Sequence, residues 1–428
     1  MQPLERLVAT DVLPPGRVML AQAPFAQQLA AVGTDLPVGS DAWWQRVAAL
    51  GTPLRAQLPG AGEVLVLVHR STAPVVYADL AGYTDRTDLR HGVMDRVPGT
   101  DVWTACFRLE PGWIGSYTFM PLPEVPRAPG PRNTPETRAW WVELISRACL
   151  DPLNPRPPLP SLRTHPHPEL RSVAADRPAD VEAATSTTAG QPGTVQQVTW
   201  TRPGAGLEHP VWLYASPTTA GAGELAVVVV FDGQVWAELG LPALLDDLVT
   251  RGVLPPLVAV LVSSVDLPRR AADLTCNPDF IDEVSDHLLG GVVKDWARGR
   301  SLVVTTDPAR TVAVGQSYGG LAAFFAGMHR PDRFARVLSQ SGSFWWPSPG
   351  NAAARPISQW LRHAEPRPTR TVLQHGTHEE QVADGNREVA ALLAERQEWH
   401  QVLAQPGGHD WAWWRAKLGA GLAALLAP

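Results

Sequence analysis

The spacing of apolar residues divides the chain into three stretches, of which the first extends to about residue 150. There a helical opening is followed by short apolar runs at 63–69, 75–78, 102–109 and 113–120, separated by Gly, Pro and Asp turns. Short strands between such turns are typical of a sandwich. An amphipathic helix is predicted at 135–149. We therefore predict a smaller, β-sandwich-like N-terminal domain over residues 1–150.

The second stretch, residues 151–194, has a different composition. It combines many prolines with a tract rich in Ala, Thr and Ser, and it contains few apolar residues. This composition favours a semi-rigid linker over a folded unit. His165 and His167 lie in this stretch, but the sequence nearby offers no further metal ligands. We predict a linker without a metal site.

In the third stretch, residues 195–428, apolar runs typical of strands alternate with the apolar spacing typical of helices. After a predicted hairpin at 195–214, residues 225–231 form a continuous apolar run, as in a strand covered on both faces. Further strands are predicted at 257–262, 312–314, 337–338 and 371–373, and helices at 237–252, 279–298, 321–329 and 386–400. Such alternation predicts an α/β domain with a mostly parallel sheet and helices on both faces.

Composition and charge limit which binding partners and which cellular compartment we expect for the protein. The chain has 428 residues with a net charge of −6, so it shows no basic footprint for nucleic acid. Its three cysteines are widely spaced, which argues against a disulfide framework or a metal cluster and fits a reducing compartment. The N-terminus lacks a signal-like apolar region, and no apolar stretch has the length of a membrane span. We expect a soluble cytoplasmic protein with neither nucleic-acid nor membrane partners.

The run Gly-Gln-Ser-Tyr-Gly at 315–319 connects a predicted strand to a predicted helix. A strand that turns sharply into a helix through Gly-x-Ser-x-Gly is the nucleophile elbow of α/β-hydrolases. The glycines on either side of the serine avoid the Cβ clashes of this tight approach. We therefore predict an α/β-hydrolase domain whose nucleophile is Ser317.

A serine nucleophile needs a histidine base, and the base needs an acid to orient it. In α/β-hydrolases both follow the serine, with the acid first and the histidine last. His409 lies in a Gly-Gly-His-Asp loop just ahead of the last predicted helix, which favours it as the base. The loop after the strand at 371–373 contains Glu379, Glu380 and Asp384. We favour Glu379 as the acid, with Glu380 and then Asp384 as alternatives.

The tetrahedral intermediate of acyl transfer needs two N–H donors for its oxyanion. One is expected from the residue after the nucleophile, Tyr318. The other is expected from the loop after the strand at 225–231, where Asp232-Gly-Gln carries a glycine that lets the amide of Gln234 turn towards the serine.

Several motifs occur together along the chain. They lie at 107–109 with 113–121, 151–155, 232–236, 315–320, 329–334, 339–346 and 407–410. In combination they resemble the enterochelin (ferric enterobactin) esterase family over nearly the whole chain. The resemblance implies a cytoplasmic serine esterase that cuts the ester bonds of a catecholate siderophore, with Ser317, His409 and Glu379 as its triad. Two departures stand out: Asp273 replaces the glutamate of the family's Arg-x-x-Glu-Leu motif, and His378-Glu-Glu stands where Arg-Glu-Pro is usual.

The substrate that the family implies, a ferric tris-catecholate, is a trianion with flat aromatic faces. A site for it should offer arginines and indoles, because guanidinium groups pair with anions and stack on rings. The candidates for substrate binding are Arg270, Trp236, Trp345 and Trp346, with Arg163 of the linker as a further possibility.

The implied reaction is acyl transfer to Ser317 followed by hydrolysis. It needs no metal or organic cofactor, since iron arrives with the siderophore, and the expected partner is this small molecule. Two alternatives remain at this stage. One is another serine esterase or acyltransferase of the superfamily, acting on a feruloyl or mycolyl ester. The other is a siderophore-binding protein without catalytic activity.

Overall fold

The computed structural model describes residues 15–20, 23–84, 89–131, 134–159, 170–180, 192–217, 223–347, 356–365, 367 and 369–426. The chain divides into two compact units. The first comprises Met1–Ser161 and His167–Pro178, and the second comprises Leu162–Pro166 and Ala179–Pro428. Among the described residues, no helix combines the length and the apolar character that crossing a bilayer requires.

The first unit contains two antiparallel sheets. The larger is built from β1 (Gly16–Val18), β2 (Leu54–Leu58), β3 (Gly62–Arg70), β5 (Asp95–Arg96) and β6 (Val102–Arg108), and the smaller from β4 (Val75–Leu80), β7 (Ile114–Leu122) and β8 (Ser172–Ala175). Leu67 and Phe107 of the larger sheet share one buried core with Tyr117 and Phe119 of the smaller sheet. This arrangement confirms the predicted β-sandwich-like domain.

Helices cover the remaining apolar surfaces of this unit. They are α1 (Phe25–Gln28), a 3₁₀ turn at Ala30–Val32, α2 (Asp41–Leu50), a 3₁₀ turn at Leu89–His91 and α3 (Pro135–Ile145). The Ser40 side chain caps α2 by accepting from the backbone of Trp43, whose ring is fully buried in the core of the larger sheet. Thr134 caps α3, and that helix buries Trp141 beside residues of the smaller sheet. Side-chain caps satisfy N–H groups that have no partner within the helix.

Part of the predicted linker is folded. Within 151–194, β8 pairs with β7 of the smaller sheet. The buried Tyr117 hydroxyl donates to Asp151 Oδ2 at 2.7 Å and accepts from Asn154 Nδ2 at 3.0 Å. The linker prediction was therefore wrong for these residues, because composition does not reveal that an unpaired strand edge and a buried hydroxyl supply them with partners. Arg163, His165 and His167 lie outside the described residues.

The second unit is built on one large sheet. Its strands are β9 (Thr194–Thr201), β10 (Glu208–Ala215), β11 (Glu224–Phe231), β12 (Leu257–Val262), β13 (Val303–Val304), β14 (Thr311–Gln316), β15 (Arg336–Gln340), β16 (Arg370–Gly376) and β17 (Trp399–Gln405). Their order is β17-β16-β15-β14-β11-β12-β10-β9, with β13 beside β11. β10 runs antiparallel to both of its neighbours, and the remaining pairings are parallel. The predicted α/β-hydrolase fold is confirmed.

Helices alternate with these strands. They are α4 (Gly233–Glu238), α5 (Leu241–Thr250), α6 (Leu267–Leu274), α7 (Pro278–Glu283), a π-helical stretch at Val284–Val293, α8 (Lys294–Arg298), a 3₁₀ turn at Pro308–Arg310, α9 (Tyr318–His329), α10 (Ile357–His363), α11 (Gln381–Glu395) and α12 (Trp411–Leu426). The helix predicted at 386–400 was wrong at its end, where the chain enters β17. This edge strand is largely exposed and lacks a continuous apolar run. The carboxyl ends of the parallel strands share one edge of the sheet, where ligands of such folds bind.

Candidate active site

Ser317 lies in a strained turn between β14 and α9. Its backbone has φ 58° and ψ −119°, a conformation that a residue with a side chain rarely adopts. A Cβ atom on Gly315 would lie 2.1 Å from the carbonyl oxygen of Gly319, so position 315 must be glycine. The geometry is that of a nucleophile elbow, which presents the serine at the edge of the sheet.

The loop after β15 holds this serine in place. The Ser317 N–H donates to the carbonyl of Gln340 at 3.0 Å, and its carbonyl accepts from the N–H of Ser343, also at 3.0 Å. The hydroxyl oxygens of Ser317 and Ser343 are 3.3 Å apart. Ser343 is buried, so one neighbouring loop fixes both the backbone and the hydroxyl of the predicted nucleophile.

Glu379 and His409 meet at the same edge. His409 Nδ1 lies 2.6 Å from Glu379 Oε1, and the glutamate side chain is 1% exposed while the imidazole is 42% exposed. Glu379 Oε2 accepts from the Gly376 N–H at 2.5 Å and from the Ser341 hydroxyl at 2.8 Å. Because a carboxylate only accepts, Nδ1 of His409 carries a proton, and in the neutral imidazole Nε2 then has the lone pair. A histidine in this tautomer can act as a general base.

The structure separates Glu379 from the other carboxylates considered for the acid. Glu380 is exposed at the start of α11, and Asp384 forms an ion pair with Arg387 on the surface. Asp410, the neighbour of the histidine, caps α12 by accepting from the N–H of Ala412 at 2.8 Å. Of these four carboxylates, Glu379 is the one that forms a hydrogen bond with His409 among the described residues.

Ser341 and Trp414, which the sequence analysis did not identify, lie beside the predicted acid and base. The Trp414 indole N–H donates to the Ser341 hydroxyl at 2.8 Å. The same indole stands edge-on to the His409 ring, with centroids 4.7 Å apart. The Ser-Gln-Ser-Gly-Ser run at 339–343 was visible as a family motif. Its contacts with the acid on one side and the nucleophile on the other were not.

Three buried glutamines form a hydrogen-bonded row beneath the loops, here called the glutamine ladder. Gln316, Gln340 and Gln374 lie in register on β14, β15 and β16. Gln316 Nε2 donates to Gln340 Oε1 at 2.8 Å, and Gln340 Nε2 donates to Gln374 Oε1 at 2.7 Å. Trp236 donates into one end at 2.7 Å, and the Lys417 carbonyl accepts from the other at 3.1 Å. The ladder joins the strand of the nucleophile to the strand of the acid.

Trp236 was predicted to bind substrate, and the structure contradicts this. Its side chain is fully buried, and its N–H is bonded to Gln316. Its ring packs edge-on against Trp411, with centroids 5.7 Å apart. A buried indole needs a hydrogen-bond partner for its N–H, and the ladder supplies one. Trp236 is therefore a core residue.

The two predicted oxyanion amides each lie at the start of a helix. Tyr318 is the first residue of α9 and Gln234 the second of α4, where backbone N–H groups have no partner within the helix. Asp232 before α4 has φ 57°, and a Cβ on Gly233 would lie 2.3 Å from the backbone of Leu261. The Gln234 carboxamide oxygen accepts from the N–H of Ser264 at 3.0 Å, which anchors the turn to the next loop.

The Arg270 side chain is bonded to Asp232, in the turn before α4. Its Nε and one terminal nitrogen donate to the two oxygens of Asp232 at 2.8 and 2.7 Å, and its side chain is 18% exposed. Burial alone would lower the pKa of Arg270, but the Asp232 carboxylate raises it above its usual value. The guanidinium also lies 5.5 Å from the centre of the Tyr318 ring. The arginine predicted to bind substrate thus contacts both predicted oxyanion elements, through Asp232 and the Tyr318 ring, instead of presenting a free charge.

Asp273, the departure from the family motif, also has a structural partner. It pairs with Arg202 at 2.5 Å, and Arg202 pairs with Glu283 at the same distance. All three side chains are almost completely buried. The shorter carboxylate is thus part of a buried ion-pair cluster that joins α6 and α7 to the end of β9.

The two adjacent tryptophans after β15 differ in their surroundings. Trp345 is partly buried, with its ring 6.0 Å from that of Tyr318, directly beside the elbow. Trp346 packs against the main core of the second unit. Of the indoles predicted to bind substrate, Trp345 is the one whose contact with the elbow the structure records.

Two stretches of the chain match known protein families. Residues 66–180 match the family "Enterochelin esterase, N-terminal", and residues 211–425 match the family "Putative esterase". The iron(III) enterobactin esterase of Dickeya dadantii is 34% identical, with 94% of this chain and 97% of that protein covered. The enzyme of the same name from Escherichia coli O6:H1 is also 34% identical, over 92% of this chain and 98% of its own.

A solved structure gives the same result. The enterobactin esterase of Shigella flexneri, crystallised in the presence of enterobactin, superimposes with a TM-score of 0.77 at 29% identity. The match covers 91% of this chain and 99% of that one. Sequence and fold agree along both units, and the chain belongs to the iron(III) enterobactin (enterochelin) esterase family.

Proposed function

We propose that the protein is a serine esterase that hydrolyses the trilactone ester bonds of a ferric catecholate siderophore such as enterobactin, releasing the iron in the cytoplasm. The observation that carries the proposal is the buried Glu379 carboxylate, 2.6 Å from Nδ1 of His409, at the same edge of the sheet as a serine held in an elbow conformation. Relatives of this chain bear the name iron(III) enterobactin esterase. The three cysteines are free thiols, which supports a reducing compartment.

In the first step, the Ser317 hydroxyl attacks an ester carbonyl of the siderophore. Nε2 of His409 accepts the hydroxyl proton, and Glu379 stabilises the imidazolium that forms. The backbone N–H groups of Tyr318 and Gln234 stabilise the negative charge on the carbonyl oxygen. The imidazolium then returns its proton to the leaving serine hydroxyl of the lactone, which leaves an acyl group on Ser317.

In the second step, water attacks the acyl-enzyme. His409 accepts a proton from the water and gives it to Ser317 as the ester bond breaks. Neither step requires a cofactor, because the side chains and backbone amides supply the base, the nucleophile and the charge stabilisation. The iron is cargo of the substrate.

The surface beside the elbow suits a catecholate. Trp345 and Tyr318 place two aromatic rings 6.0 Å apart next to the nucleophile, and Arg270 brings a positive charge to the Tyr318 ring. Flat rings bind favourably on such surfaces, while the charge of Arg270 is largely balanced by its ion pair with Asp232. Because the net charge of the chain is −6, any attraction of the anion must be local.

The test is mass analysis of the products formed from a ferric tricatecholate trilactone. The wild type and a Ser146→Ala control, which alters an exposed serine of the first unit, should yield linear products, and Ser317→Ala should yield none. Cleavage by Ser317→Ala at the wild-type rate would refute the mechanism. Binding by the wild type without cleavage would indicate a binding protein. Cleavage of a feruloyl ester but not of the trilactone would indicate another esterase.

A further inference from the structure

The Ser341 hydroxyl occupies a bridging position whose hydrogen-bond direction is fixed by its partners. The Trp414 indole can only donate, so the Ser341 oxygen accepts at that contact, at 2.8 Å. The single hydroxyl proton is then free for Glu379 Oε2, which lies 2.8 Å away and can only accept. Both contacts are buried.

Ser341 also has a backbone conformation that residues with a side chain rarely adopt. Its φ is 48°, in the left-handed region that favours glycine. Its N–H donates to the Gln374 carbonyl at 2.6 Å, so the residue is fixed between β15 and β16. A side chain at a strained position next to a catalytic group is a recognised sign of a functional constraint. A glycine here would relieve the strain but would remove the hydroxyl.

The bridge is part of a closed ring of four side chains. Trp414 contacts Ser341, Ser341 contacts Glu379, Glu379 contacts His409, and the His409 ring stands edge-on to Trp414 at 4.7 Å. The Gly376 N–H fixes the same oxygen of Glu379 from the backbone. Two donors on Oε2 leave only Oε1 to face the imidazole. The ring therefore determines which carboxylate oxygen meets His409 and at what angle.

We propose that Ser341 is a positioning residue of this esterase: through its hydroxyl it orients the Glu379 carboxylate, and through Glu379 it orients His409. The inference rests on the proposed function, since it matters only if Glu379 and His409 act as acid and base. Because small displacements of reacting groups lower rates strongly, loss of the hydroxyl should reduce turnover more than substrate binding.

Three variants at this position separate the hydroxyl from the backbone. Ser341→Ala removes the hydroxyl, Ser341→Gly removes it and relieves the strain at φ 48°, and Ser341→Cys keeps a weak donor of similar shape. We expect kcat on the trilactone to fall about tenfold or more in the Ala and Gly variants, with KM within about twofold of wild type. The Cys variant should lie between these and the wild type. If the Ala variant does not fold, the Gly variant, which suits this backbone, provides the measurement.

A spectroscopic measurement tests orientation directly. The proton between His409 Nδ1 and Glu379 should give a low-field NMR resonance, assigned by its loss in His409→Ala. It should shift or broaden in Ser341→Ala and Ser341→Gly. Ser343→Ala is the matched control, because its hydroxyl contacts Ser317 and not Glu379, so the resonance should stay in place.

Three results would overturn the inference. They are an Ala variant with an unchanged kcat, a Gly variant as active as wild type, and a low-field resonance that does not change in either Ser341 variant. Ser317→Ala distinguishes this failure from failure of the proposed function. If Ser317→Ala is inactive and the Ser341 variants are normal, only the positioning role is wrong. If Ser317→Ala retains turnover, the esterase mechanism itself is wrong.

Discussion

Replacing Glu379 with glutamine would reverse the hydrogen-bond polarity of the site while keeping its shape. Two donors converge on Oε2, the Gly376 N–H at 2.5 Å and the Ser341 hydroxyl at 2.8 Å, and a backbone N–H cannot turn round. The carboxamide oxygen of Glu379→Gln must therefore occupy this position. Its NH₂ group then faces Nδ1 of His409, 2.6 Å from the present oxygen, and requires this nitrogen to accept. The ring proton moves to Nε2, which can no longer receive the proton of Ser317.

The size of the effect follows from this tautomer. The corresponding acid-to-amide change in the serine-protease triad lowers kcat by about 10⁴. Since Glu379 is also buried, at 1% exposure of its side chain, we expect kcat to fall by about 10³–10⁴. At about 1.4 kcal/mol for each factor of ten, this is a loss of about 4–5 kcal/mol of transition-state stabilisation. KM should change little, because a carboxylate this buried is expected to make no contact with the substrate.

The assay is the initial rate of trilactone cleavage, measured by quantifying linear products, with thermal unfolding to show that each variant is folded. Glu380→Gln and Asp384→Asn are the controls. They change the two exposed carboxylates nearest in sequence, and both should keep kcat within about twofold of wild type. The reasoning is refuted if Glu379→Gln keeps more than about a tenth of the wild-type kcat. A comparable loss in Glu380→Gln would transfer the role to that residue.

Three further predictions concern other parts of the site. Gly315→Ala should abolish turnover and lower the melting temperature, because its Cβ would lie 2.1 Å from the Gly319 oxygen; an active, stable variant would contradict the elbow geometry. Gln340→Met should lower the free energy of unfolding by about 3 kcal/mol or more, measured by urea denaturation, since it leaves buried partners in the glutamine ladder unpaired. Trp345→Ala should raise KM about two- to tenfold through lost stacking. Trp360→Ala, which changes an indole with 38% exposure, should leave KM unaltered, and equal KM values in both variants would exclude Trp345 from the substrate surface.

The sequence was enough to predict the role of some residues but not of others. Ser317 was predicted from a local pattern, a strand, a glycine-flanked serine and a helix, and the elbow has that geometry. Trp236 and Trp345 were both predicted on loops near the sheet edge, and the sequence does not distinguish them, although Trp236 lies in helix α4. The ring of Trp236 turns inward to the glutamine ladder, whereas that of Trp345 lies beside Tyr318. The direction of a side chain at a loop depends on neighbours that are remote in sequence.

The same limit applies to charged groups. Arg270 was predicted as a free cation for an anionic substrate, but it forms two hydrogen bonds with Asp232, 38 residues earlier in the chain. Choosing between Glu379 and Glu380 required the turn before α11, which sends one carboxylate inward and leaves the other exposed. Adjacent residues in a turn point in different directions, and composition carries no information about which one is buried.

The order of apolar runs and turn residues was enough to determine the fold class, the elbow and the position of the histidine, because each depends on contacts between residues close in sequence or on the alternation of strands with helices. Only the tertiary structure decided which carboxylate meets His409, that Ser341 and Trp414 support it, and that Gln316, Gln340 and Gln374 share one hydrogen-bonded row. The glutamine row arises from the parallel pairing of β14, β15 and β16, whereas the other contacts join the loops after β15, β16 and β17 and helix α12. These contacts bring together residues that are 24 to 73 positions apart, and no local pattern encodes which residues meet.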